Sequence, residues 1–177
     1  MPFPIATYPA SRAEFRTGHV VTFDGDHLLG RAIRLFAGAG THTAMIVRLA
    51  EAPGRIFLLE ALEHGLALTR MSKRISNYNG WVYVTMPSVN DDQQQRCAEL
   101  GLCLLGSRVG YDYISLFRNA VRRVPLSMGK GYCTETVQYI HQEAGLFAPQ
   151  ALAMRPNDYL LRPWPTVELA SYTVEGE

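Results

Sequence analysis

The sequence predicts an α+β fold, because strand patterns fill its first half and helical patterns fill its second half. Short apolar runs rich in β-branched and aromatic residues, bounded by turn residues, indicate the strands. The Pro53-Gly54 pair predicts a hairpin turn between two of them. The predicted strands are residues 20–23, 43–49, 55–61, 66–70 and 81–86.

Apolar residues at helical spacing, flanked by capping residues, predict the helices. The helix that begins at Cys133 carries Val137 and Ile140 on one stripe, and Gly145 stands at its expected C-terminal cap. Pro156 begins a short helix near the end of the chain. The predicted helices are residues 26–35, 91–105, 113–123, 133–144 and 156–160.

Length, composition and charge exclude several classes of protein. The chain has 177 residues, of which 47% are hydrophobic, and this suits one domain with an apolar core. We place that domain at residues 17–165, between an N-terminal arm (1–16) and a C-terminal tail (166–177). Lysine and arginine total 17 against 16 acidic residues, so the net charge of +1 indicates no nucleic-acid partner.

The sequence shows neither a membrane span nor a secretion signal. No apolar run approaches the roughly 18 residues that a span requires. Residues 1–15 lack a basic segment followed by an apolar one. We therefore expect no transmembrane segment and a cytoplasmic location by default, whereas the oligomeric state is not indicated.

Three cysteines, Cys97, Cys103 and Cys133, form an odd set without a C-x-x-C pair. This pattern argues against a disulfide framework and a zinc knuckle, and it favours a reducing compartment. We expect no metal and no cofactor. Cys97 and Cys103 lie inside an apolar helical run, where we expect them in the core. Only Cys133 stands at a helix N-terminus, whose dipole favours the thiolate.

The helix dipole alone does not make Cys133 reactive at neutral pH. It contributes at most about 2 kcal/mol, or roughly one and a half pKa units from a free-thiol value near 8.5. A nucleophilic cysteine needs a second helper, usually an imidazolium. A buried structural thiol is the alternative, since Cys133 shares its stripe with core residues of the same helix.

Among the five histidines, His42 has the best context as a partner for Cys133. It begins a predicted strand after the Gly38-Ala39-Gly40 stretch, which permits close backbone approach. His141 shares the helix of Cys133 but follows it by eight residues, about 12 Å along the axis. The remaining histidines lie in predicted turns or just before a strand: His19, His27 and His64. An ordinary surface histidine at position 42 remains the alternative.

Glu60 supplies a candidate third member of the site. It ends an apolar run on the strand next to that of His42, where a carboxylate is poorly placed for solvent. There it can accept a hydrogen bond from the far ring nitrogen of His42. The three residues would then form a catalytic triad, with the cysteine as nucleophile, the histidine as base and the acid as the group that orients the histidine. An ion pair of Glu60 with Arg55 or Arg70 is the structural alternative.

Five short motifs occur in a distinctive order between about residues 17 and 161. They are Gly18-His19-Val20-Val21, Thr41-His42-Thr43-Ala44-Met45, Leu59-Glu60-Ala61, Tyr111-Asp112-Tyr113 and Tyr132-Cys133-Thr134-Glu135-Thr136-Val137. Their order resembles that of the YiiX/YaeF-like group, the circularly permuted branch of the NlpC-type, papain-like cysteine hydrolases. The chain departs from the group's pattern at four positions, none of them in the triad. These positions are His19 in place of Asp, Thr41 and Thr134 in place of Ser, and Thr136 in place of Leu.

The resemblance implies a papain-like α+β fold in which a small antiparallel sheet packs on the helix of the nucleophile. It implies Cys133 as the nucleophile, His42 as general base and then acid, and Glu60 as the orienting group. Tyr111 matches a tyrosine that lines the substrate site, and the backbone N–H of Cys133 would contribute to an oxyanion hole. Glu135 matches an acidic residue that we interpret as stabilising the helix N-terminus.

The resemblance also implies a reaction. We expect a cysteine peptidase or amidase that forms an acyl-thioester, with bacterial cell-wall peptides as the substrate. One alternative is a lipid-directed thiol acyltransferase or esterase, similar to the lecithin–retinol acyltransferase branch. A second is a non-catalytic binding or assembly module on the same fold. Without a secretion signal, the chain would act on wall-recycling peptides in the cytoplasm or be delivered by a phage.

Overall fold

The secondary structure confirms the predicted mixture of strands and helices. The computed structural model describes residues 3–25, 40–62, 64–76, 78–106, 133–150 and 152–170. Within these residues the strands are β1 (Ile5–Ala6), β2 (Val20–Gly25), β3 (His42–Val47), β4 (Phe57–Leu62), β5 (Gly65–Arg70), β6 (Gly80–Thr85) and β7 (Thr166–Leu169). The helices are α1 (Tyr8–Ser11), α2 (Met71–Ile75), α3 (Asp91–Gly106), α4 (Cys133–Glu143) and α5 (Pro156–Leu160). The helices predicted at 26–35 and 113–123 lie outside the described residues.

The described strands form one seven-stranded sheet, in the order β1-β7-β6-β2-β3-β4-β5. Every neighbouring pair is antiparallel except β1 with β7, which is parallel. The five predicted strands correspond to β2 to β6, within two residues at their starts and ends. The sheet is therefore larger than the small sheet that the family resemblance implies.

The additional strands come from the expected arm and tail. Ile5–Ala6 pairs with Thr166–Leu169, and Thr166–Leu169 pairs in turn with Gly80–Thr85. The sheet thus extends beyond both ends of the domain predicted at residues 17–165. Strands of two and four residues are too short to show a period of two, so the sequence pattern does not reveal them.

The two faces of the sheet bury separate apolar clusters. On the α4 face, Met45 and Leu59 pack against Val137 and Ile140 of helix α4. On the α2 face, the strand side chains that alternate with these pack against Met71 and Ile75 of helix α2. These strand side chains are Phe23, Ala44, Ile46 and Leu58. Full burial of one such aliphatic side chain contributes about 1.5–3 kcal/mol. This packing fixes the start of α4 against β3 and β4.

Gly40 shows the close backbone approach that the glycine-rich stretch predicts. Its φ is +97°, and a Cβ atom there would lie 2.7 Å from Cγ2 of Thr22 and 3.2 Å from Cβ of Pro156. Any other residue would therefore be strained and would clash with β2 and α5. This tight crossing leads the chain directly into His42 at the start of β3.

The two cysteines of α3 differ in their surroundings. Cys97 is buried in the cluster on the α4 face, as predicted. Cys103 is exposed, so its predicted core position is wrong. The two positions are six residues apart, which turns Cys103 well away from Cys97 at 3.6 residues per turn. The helix buries one stripe, and Cys103 lies outside it.

Two histidines are buried away from the sheet end where His42 lies. The Nε2–H of His141 donates to the carbonyl oxygen of Gly18 at 2.9 Å, and Nδ1 of His19 accepts from the backbone N–H of Arg16 at 3.2 Å. Burial lowers the pKa of each imidazole to about 4, and Arg16 and Arg48 add to this effect at His19. Both rings are therefore neutral at pH 7.

Because these two histidines stay neutral in the folded protein, we predict that the protein loses stability as the pH falls from 6.5 towards 4. In the unfolded chain they take up protons below about pH 6.5, whereas in the folded protein they do so only near pH 4. At pH 5 the cost is about 2 kcal/mol for each histidine. Urea unfolding at pH 7, 6 and 5 measures this loss, and His141→Gln should reduce it. A free energy of unfolding that stays constant over this range would contradict the prediction.

Candidate active site

Cys133 is the first residue of α4, as the sequence predicts. Its side chain is buried, with 1% of the residue exposed, where the helix packs on β3 and β4. Glu135 lies in the first turn of the same helix and is buried as well. The thiol thus stands at the positive end of the helix dipole, which favours its ionised form.

His42 begins β3 and reaches Glu60 of the neighbouring strand β4. The β3–β4 register pairs Ala44 with Glu60, so His42 is the diagonal neighbour of Glu60, within reach of a long side chain. The Nε2 atom of His42 lies 2.9 Å from Oε2 of Glu60, which is fully buried. Because a carboxylate only accepts, Nε2 carries the proton in this contact.

The other side of the His42 ring meets the thiol. His42 and Cys133 are hydrogen-bonded to each other through their side chains. Since Nε2 is bound to Glu60, Nδ1 is the ring nitrogen left for the sulfur. One imidazole at the end of the sheet therefore joins the cysteine of α4 to the carboxylate of β4.

The electrostatics of the three groups favour a thiolate–imidazolium pair. Burial opposes ionisation of Cys133, but the His42 charge and the hydrogen bonds of Cys133 hold its pKa below that of a free thiol. Burial likewise opposes the imidazolium, yet the thiolate and Glu60 raise the pKa of His42 to about 9. At neutral pH the arrangement thus favours the ionised thiol, the form in which a cysteine side chain is nucleophilic.

Two threonines complete the surroundings of the sulfur. The hydroxyl oxygen of Thr134 lies 3.7 Å from Sγ of Cys133 and 3.4 Å from the hydroxyl oxygen of Thr43. A backbone hydrogen bond from Thr43 also favours the thiolate. Thr43 could not be predicted as a site residue, because a backbone contact leaves no signal in the residue type.

Arg74 is a further charged residue of the site, and the sequence pattern does not indicate it. Its Nε–H donates to Oε2 of Glu60 at 3.1 Å, so the same oxygen accepts from both His42 and Arg74. Burial opposes ionisation of Glu60, but His42 and Arg74 hold the pKa of this carboxyl below its ordinary value. Glu60 is thus paired with His42 and Arg74, and not with the predicted alternatives Arg55 or Arg70.

The remaining candidate residues lie away from this site or outside the described part of the chain. His19 and His141 are buried elsewhere, and His64 is exposed. His27 and Tyr111 fall outside the described residues, so the substrate-binding role of Tyr111 stays a prediction. The structure therefore brings together Cys133, His42 and Glu60, the three residues predicted to form a triad.

These features define an α+β protein in which a buried cysteine, a half-buried histidine and a buried glutamate lie together at one end of the sheet. No model of a protein family matches the chain, and no curated protein sequence matches it. Among solved structures, it is similar to the crystal structure of the metalloprotein yiiX from Escherichia coli O157:H7, which is assigned to DUF1105. The two chains share 17% identity over 90% of this chain and 99% of the yiiX chain, with a TM-score of 0.67. The fold of the chain is therefore yiiX-like, in agreement with the group that its motifs resemble.

Because yiiX is described as a metalloprotein, we tested whether the residues of this chain suit a metal ion. Among the described residues, no three His, Cys, Asp or Glu side chains are grouped as metal ligands. Cys133, His42 and Glu60 are ligand types that lie together, but Oε2 of Glu60 already accepts hydrogen bonds from His42 and from the Arg74 cation. The described residues do not fit a metal centre.

Among the described ranges, no helix is both long enough and apolar enough to cross a bilayer.

Proposed function

We propose that this protein is a papain-like cysteine hydrolase of the circularly permuted NlpC type. The observation that carries the proposal is the His42 imidazole, which contacts the Cys133 thiol with one ring nitrogen and the Glu60 carboxylate with the other. This arrangement matches the roles of nucleophile, base and orienter in acyl-transfer enzymes.

In the first half of the reaction, the Cys133 thiolate attacks the carbonyl carbon of the substrate and forms a carbon–sulfur bond. The carbonyl oxygen becomes an oxyanion, which the backbone N–H of Cys133 at the start of α4 helps to stabilise. His42, already protonated, then gives its proton to the leaving amine as the carbon–nitrogen bond breaks. The products are a free amine and an acyl-thioester on Cys133.

In the second half, neutral His42 accepts a proton from water, and the resulting hydroxide attacks the thioester carbon. The carbon–sulfur bond breaks, the acid product leaves, and the thiolate–imidazolium pair is restored. Glu60 stays ionised throughout and holds the ring through Nε2, as the orienting acid of a triad does. The low pKa of Glu60 supports this role.

We propose amide bonds of bacterial cell-wall peptides as the substrate. Support comes from the motifs around His42, Glu60 and Cys133, which resemble those of the hydrolase branch. Lipid esters and amides, the substrates of the acyltransferase-like branch, are the competing class.

Trapping of the acyl-enzyme tests both the nucleophile and the substrate class. Wild-type protein is mixed with a pool of cell-wall peptides and acyl lipids, quenched in acid within seconds, and mapped by peptide mass spectrometry. We expect a peptide-derived thioester on Cys133, and none in His42→Ala. Lipid adducts alone would overturn the substrate class, and an acyl group on any residue other than Cys133 would overturn the mechanism.

A further inference from the structure

Arg74 contacts Glu60 from outside the triad, and two aromatic rings hold its side chain. It lies on the short helix α2, and its Nε–H donates to Oε2 of Glu60 at 3.1 Å. The guanidinium carbon stands 4.6 Å from the ring centroid of Phe23 and 5.5 Å from that of Tyr78. Stacking of this kind restrains an otherwise flexible side chain.

We propose that Arg74 is a positioning residue that fixes the orientation of Glu60 for its hydrogen bond to His42. This inference rests on the proposed function, because it assigns Arg74 a role only in keeping the Cys133–His42 pair ionised. Arg74 touches neither Cys133 nor a reacting atom in this role; it acts through Glu60.

The hydrogen bonds of the Glu60 carboxylate explain why its orientation needs a second contact. Oε2 of Glu60 accepts from both His42 and Arg74, whereas Oε1 is buried and has no hydrogen-bond partner among the described residues. A carboxylate with one satisfied oxygen has little to oppose rotation or protonation. The Arg74 contact supplies a second, charge-assisted bond that holds Oε2 towards the imidazole.

Phe23 links the two partners of Glu60. Its ring centroid lies 5.8 Å from that of His42, and the Arg74 guanidinium covers the same ring. Phe23 is fully buried in β2, where it pairs with His42 across the strands. The arginine, the aromatic ring and the histidine therefore form one packed unit around the carboxylate.

The charged groups that act on this unit come from four elements. Glu60 faces His42 of β3 and Arg74 of α2, while His42 faces Cys133 of α4 and Glu60 of β4. Without the Arg74 cation, the buried Glu60 carboxylate takes up a proton at higher pH. Protonated Glu60 no longer favours the imidazolium, so the thiolate of Cys133 is also lost at higher pH.

The pH dependence of Cys133 alkylation tests this role. The measured quantity is the acid midpoint, the pH at which the rate of carboxamidomethylation by iodoacetamide falls to half on acidification. We expect Arg74→Gln to raise this midpoint by about half a pH unit or more. Arg74→Lys keeps the charge but lacks Nε, so its midpoint should lie between those of wild type and Arg74→Gln.

Lys73→Gln is the matched control, because it removes one positive charge from the exposed side of the same helix. Its midpoint should equal that of wild type. Coincidence of Arg74→Lys with wild type would overturn the positioning role, and this variant decides the test if Arg74→Gln does not fold. Failure of the proposed function is distinct: the wild type itself would then titrate like a free thiol, with no dependence on His42.

Discussion

Replacement of Cys133 by alanine should abolish hydrolysis, with turnover falling by about 10³-fold to 10⁶-fold. The reason is that no other group in the described part of the chain is placed to form the covalent intermediate next to His42. The substitution removes only the sulfur atom and leaves a small cavity, so the fold should be retained, with the free energy of unfolding lowered by about 1 kcal/mol. The measurement is steady-state turnover of the peptide identified by acyl-enzyme trapping, alongside urea unfolding.

Cys103→Ala provides the control for this experiment. Cys103 is an exposed thiol on α3 and lies outside the site, so its loss should leave turnover unchanged. Wild-type turnover in Cys133→Ala would rule out the nucleophile. Equal losses in both variants would indicate a general effect of thiol removal on the protein.

His42→Ala should lower turnover by about 10²-fold to 10⁴-fold at pH 7. Two effects combine, because the variant loses both the proton donor for the leaving amine and the cation that keeps Cys133 ionised. The thiol is buried, so without the imidazolium its pKa rises above that of a free cysteine. Turnover and the acid midpoint of Cys133 alkylation should therefore change together.

His64→Ala is the matched control for His42→Ala, since His64 is exposed in the turn before β5. It should behave as wild type in both assays. If His42→Ala retained wild-type turnover, the general acid and base of the reaction would lie elsewhere. Urea unfolding of each variant separates such an effect from a loss of structure.

Much of the site follows from the sequence because its parts carry strong local signals. Capping and periodicity place Cys133 at a helix start, and the apolar run before Glu60 identifies a buried strand end. The glycine-rich stretch before His42 indicates a tight crossing, which Gly40 then makes with β2 and α5. These signals are local, whereas β3 and β4 are buried on both faces and carry no alternation that fixes their register.

Arg74 could not be predicted because its contact depends on tertiary structure. Helix α2 has five residues, too few for a helical period to be visible. The partners of Glu60 that the strand order favours are Arg55, just before β4, and Arg70, the last residue of β5. Only the packing of α2 against the sheet brings Arg74 close enough to compete with them.

The strands at the far edge of the sheet illustrate the same limit. Ile5–Ala6 and Thr166–Leu169 pair across almost the full length of the chain, and neither segment has a pattern of its own. Their hydrogen bonds are made between backbone groups, which residue types specify only weakly. Residues at such edges become strands because they pair with a neighbouring strand, and not because of their own β-propensity.

The pH profile of Cys133 alkylation in the Cys103→Ala background tests the central claim most directly, because it requires no knowledge of the substrate. Access to the buried sulfur sets the absolute rate, but the midpoint reports the ionisation of Cys133. We predict an acid midpoint well below the free-thiol value of about 8.5, a further change near pH 9 as His42 loses its proton, and loss of both features in His42→Ala. A single midpoint at or above about 8.5, unchanged by His42→Ala, would contradict the thiolate–imidazolium pair and the hydrolase mechanism built on it.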